Sequence, residues 1–221
     1  KIVEEKGLQT LVGFQFRFHP VLNRVKELLE SGELGRVYSF RAHWGEYLPG
    51  WHPWEDYRQS YAARRDLGGG VVNTLCHPLD YARWLFGEVA AVSAVTGQVS
   101  HLALEVEDAA EISLVMAEDI IGSIHLDYFQ RPPAHWLAVN CEKGSLHWDN
   151  ATGIAKVFYV AEDQWEIMEP TAGFERNDLF SEEMRHFLNL IVGNAQSRCS
   201  LEDGIAILKL TESVHKDSKK I

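Results

Sequence analysis

Seven stretches of alternating or β-branched residues follow one another between Val89 and Glu169, and this density of strand signals constrains the fold more than any other feature of the chain. They read as Val89 to Val99, Ala109 to Ala117, Ile120 to Phe129, Trp136 to Cys141, Ser145 to Asp149, Ala155 to Val160 and Gln164 to Glu169. Glu118-Asp119 and Lys143-Gly144 are the expected hairpin turns. Arg36 to Trp44 adds a further strand, with Tyr38, Phe40, Ala42 and Trp44 facing one way and Val37, Ser39, Arg41 and His43 the other. Helical periodicity is confined to a few segments. Pro20 to Glu30 carries Val21, Leu22, Val25, Leu28 and Leu29 on one stripe, with Gly32 placed to end it. Asp178 to Val192 carries Phe180, Met184, Phe187, Leu188 and Ile191 on one face, and Ser200 with Asp203 opens a last helix through a capping box. The expected fold class is α+β: a large open, mainly antiparallel β-sheet with helices on one face. The other face of such a sheet is bare, and its Tyr and Trp side chains make a homodimer through it an expectation.

With 46% hydrophobic residues in 221, the chain can bury a sizeable core. A net charge of −11 argues against nucleic acid or an acidic membrane as partner, because no basic face can be assembled from 21 Lys and Arg against 32 Asp and Glu. Three cysteines without CxxC spacing fit a reduced, cytoplasmic setting, and no apolar run is long enough to span a bilayer. Lys1 to Gly7 reads as the tail of a helix and Gln9 to Phe16 as a buried strand, so the start looks cut from something larger. Residues 1–19 are then the remnant of a preceding domain, and 20–221 the α+β domain itself.

Chemistry concentrates around Gly68-Gly69-Gly70, a tight glycine run that leads into an apolar-rich helical pattern. Asn73 and His77, four residues apart, are expected on one face of that helix, an amide beside an imidazole, both able to hydrogen-bond a polyol. The alternative for His77 is a core histidine satisfied within the fold. Glu46 to Leu67 has no sustained period and reads as a long functional loop. Its aromatic residues Trp51, Trp54, Tyr57 and Tyr61, with Trp44 just before it, suit stacking on sugar rings, or else simple loop packing. Arg17 suits a substrate carboxylate or phosphate, and equally a structural ion pair. Arg64 and Arg65 read as a solvated pair. Ten histidines show no H-x-x-x-H or Cys/His ligand spacing, so no metal is expected, and Cys76 points away from His77 as a packed thiol.

Four stretches together resemble one family: Val12 to Pro20 followed by Leu34-Gly35-Arg36-Val37; Gly68 to His77 with Asp80 and Trp84-Leu85-Phe86-Gly87; Glu142 to Leu146; and Glu183 to Phe187 with Ser200 to Gly204. In order and spacing they resemble the glucose–fructose oxidoreductase / inositol dehydrogenase / rhizopine catabolism family of NAD(P)-dependent oxidoreductases. The resemblance implies a two-domain parent in which a Rossmann domain holds NAD or NADP and an open-sheet domain binds substrate and builds the dimer. It covers only the second domain, preceded by what would be the last Rossmann strand. No G-x-G-x-x-G turn and no Glu-Lys-Pro segment occurs, so the dinucleotide-binding domain is expected to be missing from this chain. The resemblance implies His77 as acid/base catalyst, Asn73 standing where the family usually has Asp. Arg17, Trp44, Trp54, Tyr57 and Tyr61 are the candidate substrate residues. The implied function is oxidation of a sugar, cyclitol or nucleotide-sugar, with such a hydride transfer as the first step of a non-redox outcome as a further alternative. The rival is a binding or oligomerisation module that has lost catalysis.

Overall fold

A computed structural model describes all residues, 1–221. Nine strands form one sheet in the order β8-β7-β6-β5-β1-β4-β3-β2-β9. They are β1 (Val37–Gly45), β2 (Val89–Gly97), β3 (Ala109–Met116), β4 (Ile121–Asp127), β5 (Ala134–Cys141), β6 (Gly144–Asp149), β7 (Ala155–Tyr159), β8 (Gln164–Met168) and β9 (Ser218–Lys220). The helices are α1 (Ile2–Lys6), α2 (Pro20–Ser31), α3 (Val71–Thr74), α4 (His77–Phe86), α5 (Arg176–Ile191) and α6 (Leu201–Asp217). The α+β expectation holds. The sheet is antiparallel except at β1–β4 and β2–β9, and β9 is a short edge strand that periodicity does not reveal.

Inward-facing positions of β1, β3, β4 and β5 are buried under the helices: Phe40 and Ala42, Ile112 and Leu114, Ile124 and Leu126, Leu137 and Val139. At the parallel seam Phe40 pairs with Gly122, and the phenyl ring takes the room a side chain there would need. Helix α2 starts on His19, whose Nδ1 accepts the N–H groups of Val21 and Leu22 at 3.2 and 3.4 Å. It ends on Gly32 at φ 72°, as its glycine indicates.

Three expectations need correction. Gln9 to Phe16 is not a strand: residues 8–14 have no regular secondary structure and Gln15–Phe18 closes a single 3₁₀ turn. The segment joins neither edge of the sheet and is held instead by Val12 N–H donating to the Cys199 carbonyl. The helix after the glycine run is broken into α3 and α4 at Leu75-Cys76, because Pro78 lacks an N–H and its ring would clash with the carbonyl of Thr74. On α5 the apolar face of Phe180, Met184, Leu188 and Ile191 is exposed, whereas Leu179 and Leu190 are buried.

A Cβ added at Gly122 would lie 2.1 Å from the Phe40 ring. Gly122→Ala should therefore destabilise the chain by about 1–3 kcal/mol through overpacking, read as a lower urea midpoint at unchanged m-value.

Candidate active site

His77 opens α4, with Pro78 in the first turn. Its imidazole is walled edge-on by Phe14 and Phe16, with ring centroids at 5.5 and 5.4 Å, and flanked by Trp44 at 5.4 Å. The residue keeps partial exposure although protein surrounds most of the ring. Nδ1 is sealed without a hydrogen-bond partner. Desolvation, then the charge of Arg176 at the start of α5, push the imidazole down from its ordinary 6.5 to about 4. The N-terminal end of α4 acts in the same direction. His77 is thus neutral at pH 7: ready to accept a proton, rather than poised between its two forms as a group near its ordinary value would be.

Behind it lies a sealed aromatic nest. Trp44 stacks on His135 at 4.4 Å and 1°, and both are buried, so neither face of Trp44 is open to a sugar ring. His135 is held neutral by burial, then by the charges of His77 and His43, and its Nε2 meets the Tyr81 hydroxyl at 3.4 Å. Burial also takes His19 down to about 4. Trp44 is a wall of the site, not a stacking platform.

The break before α4 separates Asn73 from His77. The Asn73 amide donates to the carbonyls of Gly68 and Gly69 and lines a polar hollow with Arg65, Thr96, Glu107 and His215, away from the imidazole. The glycine run is also committed internally. A Cβ at Gly70 would lie 2.3 Å from a Glu107 carboxylate oxygen, and that oxygen accepts the N–H of Val72. The anion at this turn is the protein's own, so these glycines do not fit a dinucleotide phosphate.

Arg17 is buried and takes the structural alternative. Its guanidinium grips Asp80 on α4 through three hydrogen bonds of 2.7–3.2 Å and donates to the Arg198 carbonyl and to Asp203 on α6. Burial opposes this charge, but Asp80 and Asp203 raise its pKa on balance. Asp203 in turn accepts from Arg83 and from Ser200 in its capping box. Of the loop aromatics, Trp54 is 76% exposed and hydrogen-bonds only Glu55, while the Tyr57 hydroxyl accepts the Ala103 N–H. Tyr61 is 56% exposed, and desolvation, then the neighbouring Cys76 thiol, raise the pKa of its hydroxyl. Arg176, Phe14 and Phe16 complete the surroundings of His77. Sequence spacing misses them because they come from segments far from the glycine run, although Phe14 and Phe16 stand within the first of the family-like stretches.

A second cluster occupies the bare sheet face. His43 on β1 stacks on His125 of β4 at 4.8 Å, and their nitrogens lie with an Asp127 oxygen within 4.8 Å of one another. No local spacing signals it, since the register of β1 on β4 makes it.

This architecture is a large open nine-stranded sheet with an imidazole at the start of a helix on its covered side. The profile of the GFO/IDH/MocA C-terminal domain matches residues 22–147, and the chain belongs to that family. It is 30% identical over 66% of its length to an uncharacterised oxidoreductase, sll0816, of Synechocystis, covering 42% of that protein. It is 22% identical over 98% of its length to a D-xylose 1-dehydrogenase (NADP(+)) of Haloferax volcanii, covering 64% of it. The fold also matches a levoglucosan dehydrogenase solved with NADH and levoglucosan, with a TM-score of 0.85 at 18% identity, over 95% of this chain and 64% of that one. The chain spans less than two thirds of the length of these relatives.

Desolvation works to raise Asp203, but hydrogen bonds from Arg83 and Ser200 and the charge of Arg17 hold it down at about 2, below its ordinary 3.8. A carboxylate depressed by folding adds stability that is whole above its unfolded pKa and is lost as pH falls through the folded one. Asp203→Asn should therefore lower the melting temperature at pH 7 and flatten its fall between about pH 4 and 2, measured by calorimetry across that range.

Proposed function

We propose that this chain is the substrate-binding and proton-transfer part of an NAD(P)-dependent oxidoreductase acting on a sugar or related polyol. The observation that carries the reading is His77: neutral, partly exposed, unpartnered at Nδ1, and seated at the start of α4 in a chain of this family. Oxidising a carbinol removes a hydride from carbon and a proton from the hydroxyl, and His77 takes the proton. A positioned base of this kind contributes roughly 10²–10⁴-fold. The aromatic wall of Phe14, Phe16 and Trp44 keeps water off one side of the ring, and desolvation, then the charge of Arg176, holds the imidazole in its neutral form. NAD or NADP, named for the relatives, would supply the hydride acceptor; no side chain of these 221 residues is assigned to hold it.

Two surfaces support further partners. The exposed apolar stripe of α5 (Phe180, Met184, Leu188 and Ile191), continued on α6 by Ile205 and Leu208, suits packing against a further domain, in keeping with the greater length of the relatives. The bare sheet face carries Val95, Val115, Ile121, Trp165 and Ile167 exposed, which favours a homodimer there. A non-catalytic module is the competing reading, and the commitment of the glycine run to Glu107 is the observation in its favour.

In the complete protein His77→Ala should lower kcat for sugar oxidation at least about tenfold with little change in cofactor binding. Turnover unchanged in that variant, or no NADH binding by fluorescence, leaves the module reading. Because the neutral imidazole is the base, kcat/KM of the wild type should hold at mildly acidic pH and fall only as pH drops toward about 4. In analytical ultracentrifugation at micromolar concentration the chain should sediment as a dimer and Ile121→Lys as a monomer; a wild-type monomer removes the sheet-face interface.

A further inference from the structure

The outward face of the sheet carries a row of side chains that the oxidoreductase reading does not use. Strand register sets Glu111 of β3 opposite His125 of β4, His125 opposite His43 of β1, and His43 opposite Trp136 of β5. The row is tightly organised: His43 stacks between His125 at 4.8 Å and Trp136 at 5.4 Å. His125 Nδ1 meets a Glu111 carboxylate oxygen at 2.5 Å, and its Nε2 meets Asp127 Oδ2 at 3.1 Å. Asp127 is fixed through its other oxygen, which accepts the N–H groups of Phe129 and Gln130 at 2.9 and 2.7 Å. Gln130 Oε1 lies 2.5 Å from His43 Nε2.

Proton counting shows what this arrangement needs. A neutral imidazole has one N–H, and His125 has a carboxylate oxygen against each nitrogen. With the proton on Nδ1 toward Glu111, the Nε2 lone pair faces the Asp127 carboxylate, which is repulsive unless a cation stands between them. Such a cation is either a second proton or a metal ion. The second fits more of the surroundings. A carboxylate holding one nitrogen of a histidine while the other faces a metal is the usual outer-shell arrangement of metal sites. Two ligand atoms on a tetrahedral ion with bonds of ~2.0 Å stand roughly 3.3 Å apart, close to the 3.1 Å between His125 Nε2 and Asp127 Oδ2, whereas the 2.5 Å between His43 Nε2 and Gln130 Oε1 is a hydrogen bond that positions His43. The space is kept clear by Gly45, where a Cβ would lie 2.3 Å from Asp127 Oδ2 and 2.4 Å from Gln130 Oε1.

We propose that a ring nitrogen of His43, His125 Nε2 and Asp127 Oδ2 form a binding site for a divalent transition-metal ion of the zinc class on the bare face of the sheet, with Glu111 orienting His125 and Gln130 holding His43. Two nitrogens and a carboxylate oxygen, with water in the fourth position, suit Zn²⁺ or Co²⁺ and disfavour Mg²⁺ and Ca²⁺, which take oxygen alone. The ion would bridge β1 and β4 at the sheet's parallel seam, a position remote in the sheet from the helix-covered side where His77 lies.

The test is titration of the untagged, chelator-treated chain with Zn²⁺ by calorimetry, and with Co²⁺ by visible absorption, at pH 7.5. One saturable equivalent per chain and a four-coordinate Co²⁺ spectrum are expected, both lost in His43→Gln and His125→Gln. Glu111→Gln should weaken binding by about 10–100-fold without removing a ligand. Unchanged melting temperatures would show that the variants remain folded. Binding that does not saturate, or that survives in both histidine variants, overturns the proposal. So does a nitrogen NMR spectrum in which both nitrogens of His125 stay protonated at pH 7.5 with Zn²⁺ in excess.

Discussion

The grip of Arg17 on Asp80 is the interaction on which the covered side of this molecule depends. It ties the turn after the extended N-terminal segment to α4, and through Asp203 and Arg83 it draws in the start of α6. Two buried charges cost several kcal/mol to desolvate, and breaking one partner of such a pair costs about 3–5 kcal/mol because the other is stranded. Here a bidentate contact and a backbone carbonyl satisfy the guanidinium, and the Ser200 capping box shares its carboxylate with it. The consequence reaches the site directly. Phe14 and Phe16, which wall His77, flank the turn that Arg17 anchors, and Asp80 lies one helical turn from His77.

The neutrality of His77 follows from the same construction. A helix start, aromatic walls and a nearby arginine all disfavour a second proton on the ring. The unpartnered Nδ1 costs roughly 1–3 kcal/mol when buried, and because it is sealed a proton from substrate would have to pass to Nε2. The two faces of the sheet thus treat histidine in opposite ways. Beneath the helices, burial strips His19, His77 and His135 of protons; on the bare face carboxylates crowd His125, and its hydrogen bonds to Asp127 and Glu111 outweigh desolvation and raise its pKa.

The sequence by itself determined the class of fold, the family, the eight main strands, the glycine that ends α2 and the capping box of α6. All of these rest on local periodicity, on turn and cap residues, or on a contiguous family-like stretch. Tertiary structure alone decided the rest. Gln9 to Phe16 has the composition of a strand but pairs with none and is tied to Cys199 instead, and Pro78 breaks what periodicity presents as one helix, taking Asn73 away from His77. Arg17 carried two readings until Asp80, sixty-three positions away, met it in the fold. The cluster of His43, His125 and Asp127 had no sequence signal, because strand register assembles it from residues whose separation along the chain carries no period. Local order is written in neighbouring residues, whereas charge pairing and side-chain clusters are settled by which distant segments come to share a surface.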